Sequence, residues 1–232
     1  MSDMASVQFS SGPSLLTERG DVDVVVLGSD VYVSGGFTHE NDYSAPHATV
    51  EKLDISSTTP AWINVDALNE ERGDKQLVDV DGKIYALGGE TKVDTSGYTK
   101  DELPLVSLAD KSIVLDTVEV FDPAGGANAQ WKSLSDMPVA LFRFTATEWE
   151  EEDDHVIFVL GGQVGYNPDC ECFATTDKVL VFDVDHAEEH VEDVGPSTEE
   201  TANAGSMLGG AGAVGHMVSF LVSFMAWFWC AL

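Results

Sequence analysis

Three stretches of the chain end in the same way. Val31–Thr38 reads VYVSGGFT, Ile84–Thr91 reads IYALGGET and Ile157–Val164 reads IFVLGGQV. Each is an apolar or alternating run that stops on two glycines: Gly35 and Gly36, Gly88 and Gly89, Gly161 and Gly162. Alternation with period two marks a β-strand. Paired glycines supply backbone conformations that a Cβ disfavours. A unit this short cannot bury both of its faces, so repeated units must stack on one another.

Other landmarks keep the register. TERGD (Thr17–Asp21) returns as EERGD (Glu70–Asp74), and 53 residues separate both Arg19 from Arg72 and Gly35 from Gly88. Arg143, in LFRFT, precedes the third glycine pair. A second β-rich signature follows each pair: VEKLDI, VEVFDP and VLVFDV, carrying Asp54, Asp122 and Asp183. Trp62 and Trp131 follow the first two of these aspartates; the third has no such Trp. VDVVVL and VYVS flank Gly28-Ser29-Asp30, and QLVDV and KIYAL flank Asp81-Gly82, so each pair reads as a hairpin. In the third copy the turn reads as a swollen acidic loop, EWEEEDD. The spacing predicts an all-β chain of three four-stranded antiparallel units, at 17–66, 70–135 and 141–194 within a repeat region 11–195.

This combination resembles the kelch repeat, the blade of a kelch β-propeller, over Phe9 to Val194. The resemblance implies that the Arg-bearing strand lines a central channel and that the Trp strand is outermost. It also implies that the glycines end the second strand and that the Trp packs between blades. Three departures stand out: Leu53 replaces the usual aromatic, the third copy lacks its Trp, and Lys92–Ser112 is inserted between the second and third strands of unit two. Phe9 lies 53 residues before Trp62, so residues 1–10 read as the outer strand of an incomplete blade. Propellers of this architecture have four to eight blades. Another copy of the chain, or blades outside this sequence, is expected to complete the arc.

Charge narrows the partners. Eleven basic against 41 acidic side chains give a net charge of −30, which repels phosphate backbones and argues against nucleic acid. The only three arginines are Arg19, Arg72 and Arg143, read as one repeat position. Arg offers a rigid fork suited to carboxylates. The structural reading pairs each with a nearby carboxylate; the alternative makes the three a basic ring on a binding face. The two Arg-Gly-Asp triplets recur in repeat register and read as strand-entry residues rather than an adhesion motif. Cys170 and Cys172 form a C-x-C pair, expected as loop thiols or a local disulfide rather than a metal site.

Nothing in the sequence argues for catalysis. The six histidines are scattered, and no nucleophile elbow or phosphate loop occurs. No metal or cofactor is expected. A non-catalytic binding scaffold for a protein or glycan is the primary reading; a kelch-type oxidase, a sugar-processing enzyme or a degenerate relative is the alternative. No signal peptide is read at the N-terminus. After Glu200 the chain has no charged side chain, and Ala213–Leu232 is apolar apart from His216. Residues 196–212 then read as a small-residue linker, and 213–232 as a membrane-spanning helix or a lipid-anchor signal. The expected location is a membrane, at the cell surface or on the cytosolic face of an internal membrane.

Overall fold

The computed structural model describes residues 9–40, 43–92, 112–151, 154–167, 169–170 and 172–187. The chain divides into two compact units, Met1–Glu192 and Asp193–Leu232, and every described residue lies in the first. The expected linker 196–212 and apolar segment 213–232 fall outside the described residues, as do 1–8 and the middle of the insertion in unit two.

The described chain is mostly β, in several antiparallel sheets. Sheet 1 has the order β1 (Asp23–Leu27), β2 (Asp30–Ser34), β5 (Val50–Asp54), β6 (Trp62–Val65). Between its second and third strands stands a separate hairpin, β3 (Phe37–Glu40) with β4 (Tyr43–Pro46). Sheet 2 has the order β7 (Gln76–Val80), β8 (Lys83–Lys92), β9 (Ser112–Phe121), β10 (Trp131–Ser133). Sheet 3 contains β11 (Thr145–Glu151), β12 (Asp154–Leu160) and β15 (Val179–Asp183), with β13 (Gln163–Asn167) and β14 (Cys172–Thr175) as its projecting hairpin. A one-turn helix, α1 (Val184–Ala187), follows. Two of the three units thus have the expected four strands, and the third has three among the described residues.

Three local expectations change. The described residues of the acidic stretch read as a swollen turn are strand: β11 runs to Glu151 and β12 begins at Asp154. The ends of the Lys92–Ser112 insertion extend the sheet, because β8 and β9 stay paired out to Lys92 and Ser112. Residues 9 and 10 form no strand, and Phe9 is fully exposed.

The core lies between neighbouring sheets. Tyr32 and Val50 of sheet 1 meet Leu77, Ile84, Phe121 and Trp131 of sheet 2 in one cluster. Tyr85 and Val118 of sheet 2 meet Ile157 and Val159 of sheet 3 in another. Trp131 stacks on Phe121 at 5.2 Å and is covered by sheet 1. Trp62, at the same repeat position, is only half-buried.

The glycine pairs make the stacking possible. The amide of Gly36 donates to the Arg72 carbonyl at 2.8 Å, and that of Gly89 to the Leu141 carbonyl at 2.8 Å. Two further bonds repeat: Asp74 N to Asp21 O at 3.1 Å, and Arg143 N to Asp74 O at 2.9 Å. The first glycine of each pair is left-handed, and a Cβ on Gly35 or Gly88 would lie 2.2 Å or 2.5 Å from the carbonyl oxygen of the next repeat. At Gly161 the nearest atom to such a Cβ is 3.5 Å away. Gly161→Ala should therefore cost only its left-handed strain, about 1–2 kcal/mol. Gly88→Ala adds a backbone clash and should cost ~3 kcal/mol or more. Urea titration of the two variants checks this; equal losses would show that the close approach at Gly88 is not what demands the glycine.

Candidate binding face

Arg19 and Arg72 lie in the loops that lead into β1 and β7, not in the strands. Each is locked into its own sheet. One Arg19 nitrogen donates to the carbonyls of Gly35 and Thr49, and the other reaches Glu51 at 2.6 Å. Arg72 repeats this with Gly88 O, Thr117 O and Glu119, again at 2.6 Å. Glu70 adds a longer contact to Arg72 at 3.4 Å. Both guanidinium groups are fully buried. Burial pulls the Arg72 pKa below its usual value, with Glu119 opposing. The carboxylates are capped by backbone amides: Leu16 and Thr17 donate to Glu51, and Asn69 to Glu119. Glu51 and Glu119 were missed in the sequence, although both occupy the second position of the β-rich signature.

Arg143 does not share that place. Gly20 bridges to Phe37, Gly73 to Glu90 and Phe142 to Gln163. Phe142 is thus the counterpart of the two loop glycines, and Leu141 takes the arginine position. Arg143 falls where Asp21 and Asp74 stand, and all three adopt positive φ, 52°, 53° and 53°. The expected common register fails because the β11–β12 hairpin pairs seven residues where β1–β2 and β7–β8 pair five. The arginine position therefore moves from 16 to 20 residues before the first glycine and falls on Leu141, while Arg143 stands 18 before it. The third copy also replaces Glu by Leu180, which packs on the cluster holding the buried Leu141. Repeats one and two carry an Arg–Glu pair where repeat three carries Leu and Leu.

Lys75 is a further buried cation. It is 2% exposed, with its ammonium donating to the Ser34 carbonyl of the neighbouring sheet at 2.6 Å. Burial, opposed by Asp23 and Asp74 and reinforced by Arg72 and Arg19, pushes its pKa down to about 7.

The exposed chemistry gathers where the hairpins leave the glycine pairs. β4 touches β8, and β13 touches β9, so the three second-to-third-strand connections are neighbours. Arg143 sits at the base of the third. Its Nε donates to Asp74 at 2.8 Å, its guanidinium lies 5.1 Å over the Phe142 ring, and its side chain is 52% exposed. Its two terminal nitrogens make no hydrogen bond among the described residues. Burial raises the Asp74 pKa and Arg143 opposes that rise. Phe142 meets Phe173 edge-on at 5.0 Å, and Phe173 meets Tyr166 at 5.7 Å. Beside them Val114, Val139, Val164, Tyr166 and Phe173 line a groove of about 450 Å³. A disulfide between Cys170 and Cys172 closes the turn of this hairpin. On the first hairpin side, Lys92 pairs with Glu90, donates to Ser112 and covers the Phe37 ring.

At the other end of sheet 3, Glu148, Glu150 and His155 bring one donor atom each within 4.8 Å of the others. The set fits a divalent cation. It fits a hydrogen-bonded surface cluster equally, since Glu148 accepts from His155 at 3.0 Å and raises its pKa.

Comparison with known proteins adds little. No family model matches the chain, and no curated protein matches it. A solved structure of YjhT is similar over 65% of this chain and 35% of its own, at 16% identity and a TM-score of 0.45. The chain thus spans about a third of that structure's length.

The arginines separate by experiment. Arg72→Ala strands the buried Glu119 and should cost roughly 3–5 kcal/mol. Arg72→Lys should recover only part, because a single ammonium cannot reproduce the fork. Arg143→Ala removes a half-exposed partner from the largely buried Asp74 and should cost about 1–2 kcal/mol, less than Arg72→Ala. Thermal unfolding checks all three; a small loss for Arg72→Ala would remove the structural role of the pair.

Proposed function

We propose that this chain is a non-catalytic binding scaffold built from kelch-type blades, which presents its glycine-anchored hairpins to a protein segment or glycan. Support for the blades comes from the four-stranded antiparallel order of sheets 1 and 2, the glycine pairs at the repeat junctions and Trp131 packed against the preceding sheet. The binding role rests on one observation: a half-exposed Arg143, whose terminal nitrogens make no hydrogen bond among the described residues, lies over Phe142, which meets Phe173 in the wall of the third hairpin's apolar groove. Rigid sheets carrying variable loops are the usual arrangement for recognition. The chemistry fits a ligand with an apolar group next to a carboxylate, the first entering the groove and the second meeting the guanidinium fork. Arg19 and Arg72 are excluded from this face by their burial.

The apolar stretch Ala213–Leu232 would hold the scaffold at a membrane. Among the described residues no helix is long and apolar enough to cross one, and the stretch itself lies outside them. A full-length chain that stays in the aqueous phase without detergent would remove the tether and leave the binding face standing.

Selection of random peptides on the full-length chain tests the face. Selected peptides should share an apolar residue beside an acidic one and lose affinity about tenfold or more to Arg143→Ala and to Phe173→Ala, measured at a temperature where both variants remain folded. Peptides indifferent to both substitutions would contradict the reading. Stoichiometric copper with oxidase activity would favour the enzymatic alternative.

A further inference from the structure

Stacked sheets leave two faces without a neighbour among the described residues, the outer faces of sheet 1 and of sheet 3. The inner junctions show what normally covers each. Val50, Val118 and Val179 hold one repeat position on the face turned to the next sheet; they are 1%, 0% and 55% exposed. On the face turned to the previous sheet, Leu77 is 7% exposed and its counterpart Val24 is 53% exposed. Trp149 and Val26 are similarly uncovered. The backbone groups follow suit. Gly162 N and Arg143 O on sheet 3 correspond to groups bonded at both inner junctions, and so do Arg19 O and Asp21 N on sheet 1; none makes such a bond among the described residues.

We propose that a second copy of this chain covers these faces head to tail, sheet 3 of one copy packing on sheet 1 of the other. The occupant follows from the junction itself. Sheet 1 presents the side that sheets 2 and 3 present to their predecessors, and sheet 3 presents the side that sheets 1 and 2 present to their successors. Gly162 N then meets the partner's Arg19 carbonyl, and the partner's Asp21 amide meets the Arg143 carbonyl. Phe158 takes the place of Tyr32 and Tyr85, which meet Phe121 and Phe182 edge-on at 6.3 Å; Leu53, at the position of those phenylalanines, is already only 8% exposed within its own chain and adds little. The partner's Phe9 segment, in repeat register with Trp62 and Trp131, comes to the open edge of β15, where sheets 1 and 2 carry β6 and β10. The contact is heterologous, so it must close or polymerise. Two copies make six repeats, within the four to eight at which such rings close. The contact rests on the observed junctions; the count of two rests on the blade reading proposed above. With −30 on each chain, general repulsion opposes the apolar contact, and salt should strengthen association.

Cross-linking tests this in the full-length chain, in detergent, with Cys230→Ser as background. Chains with Val24→Cys and one tag are mixed with chains with Thr147→Cys and a second tag, then treated with a short bis-maleimide. Both positions are exposed, and their counterparts Leu77 and Val25 pack together at the inner junction. Cross-links should join the two tags and not two Val24→Cys chains, with a mass of two chains by native mass spectrometry and a yield that rises with salt. Adding Val179→Glu should cut the yield at least tenfold at an unchanged melting temperature. Products joining only like tags, or no product with a one-chain mass, would overturn the proposal. A mass above two chains would overturn the six-repeat ring. Neither result touches peptide binding at Arg143, which is measured separately.

Discussion

The structure depends on how closely one repeat approaches the next at the paired glycines. The second glycine of each inner pair gives its amide to a carbonyl of the following repeat, and the first leaves no room for a Cβ. A sheet with one apolar face can stop at two layers. These sheets are apolar on both faces, so each needs a neighbour on either side. The glycines set the spacing at which side chains such as Ile84 and Val118 become fully buried.

The buried Arg–Glu pairs tie the incoming loop to its own sheet. A buried ion pair gains little over a well-packed apolar pair, although breaking one leaves a costly orphan. The chain carries both solutions: Arg19 with Glu51 and Arg72 with Glu119 in two repeats, Leu141 with Leu180 in the third. Both residues change together, which fits the rule that a half-satisfied buried pair is worse than either complete one. The remaining arginine is thereby released. Arg143 stands two residues further along, in a left-handed position shared with two aspartates, and its fork reaches solvent.

The β-rich fold, the hairpins and the four-stranded order of sheets 1 and 2 were legible in the sequence because alternation and turn residues are local signals. The glycine junctions were not: the pairs read as strand ends, yet β8 runs through Gly88 and Gly89 to Lys92, and the bonds to the next repeat form only when the sheets stack. The register of Arg143 was not. The third hairpin is longer, and its extra residues are acidic ones that read as a loop tip. Pairing with β12 holds Glu148 and Glu150 in strand despite their composition, a tertiary override of local preference. Glu51 and Glu119 were legible in principle, since a charged residue stood at one place in two copies and Leu in the third. The groove beside Phe173 was not, because the hairpins that form it meet only after the sheets stack.

Native-state hydrogen exchange of the Gly36 and Gly89 amides tests the central claim most directly. If the junction holds the sheets together, both amides open only with global unfolding, at the same free energy as the Tyr85 amide in the core of sheet 2. Free exchange at the two glycines, while β2 and β8 remain protected, would show that the sheets keep their structure without the junction.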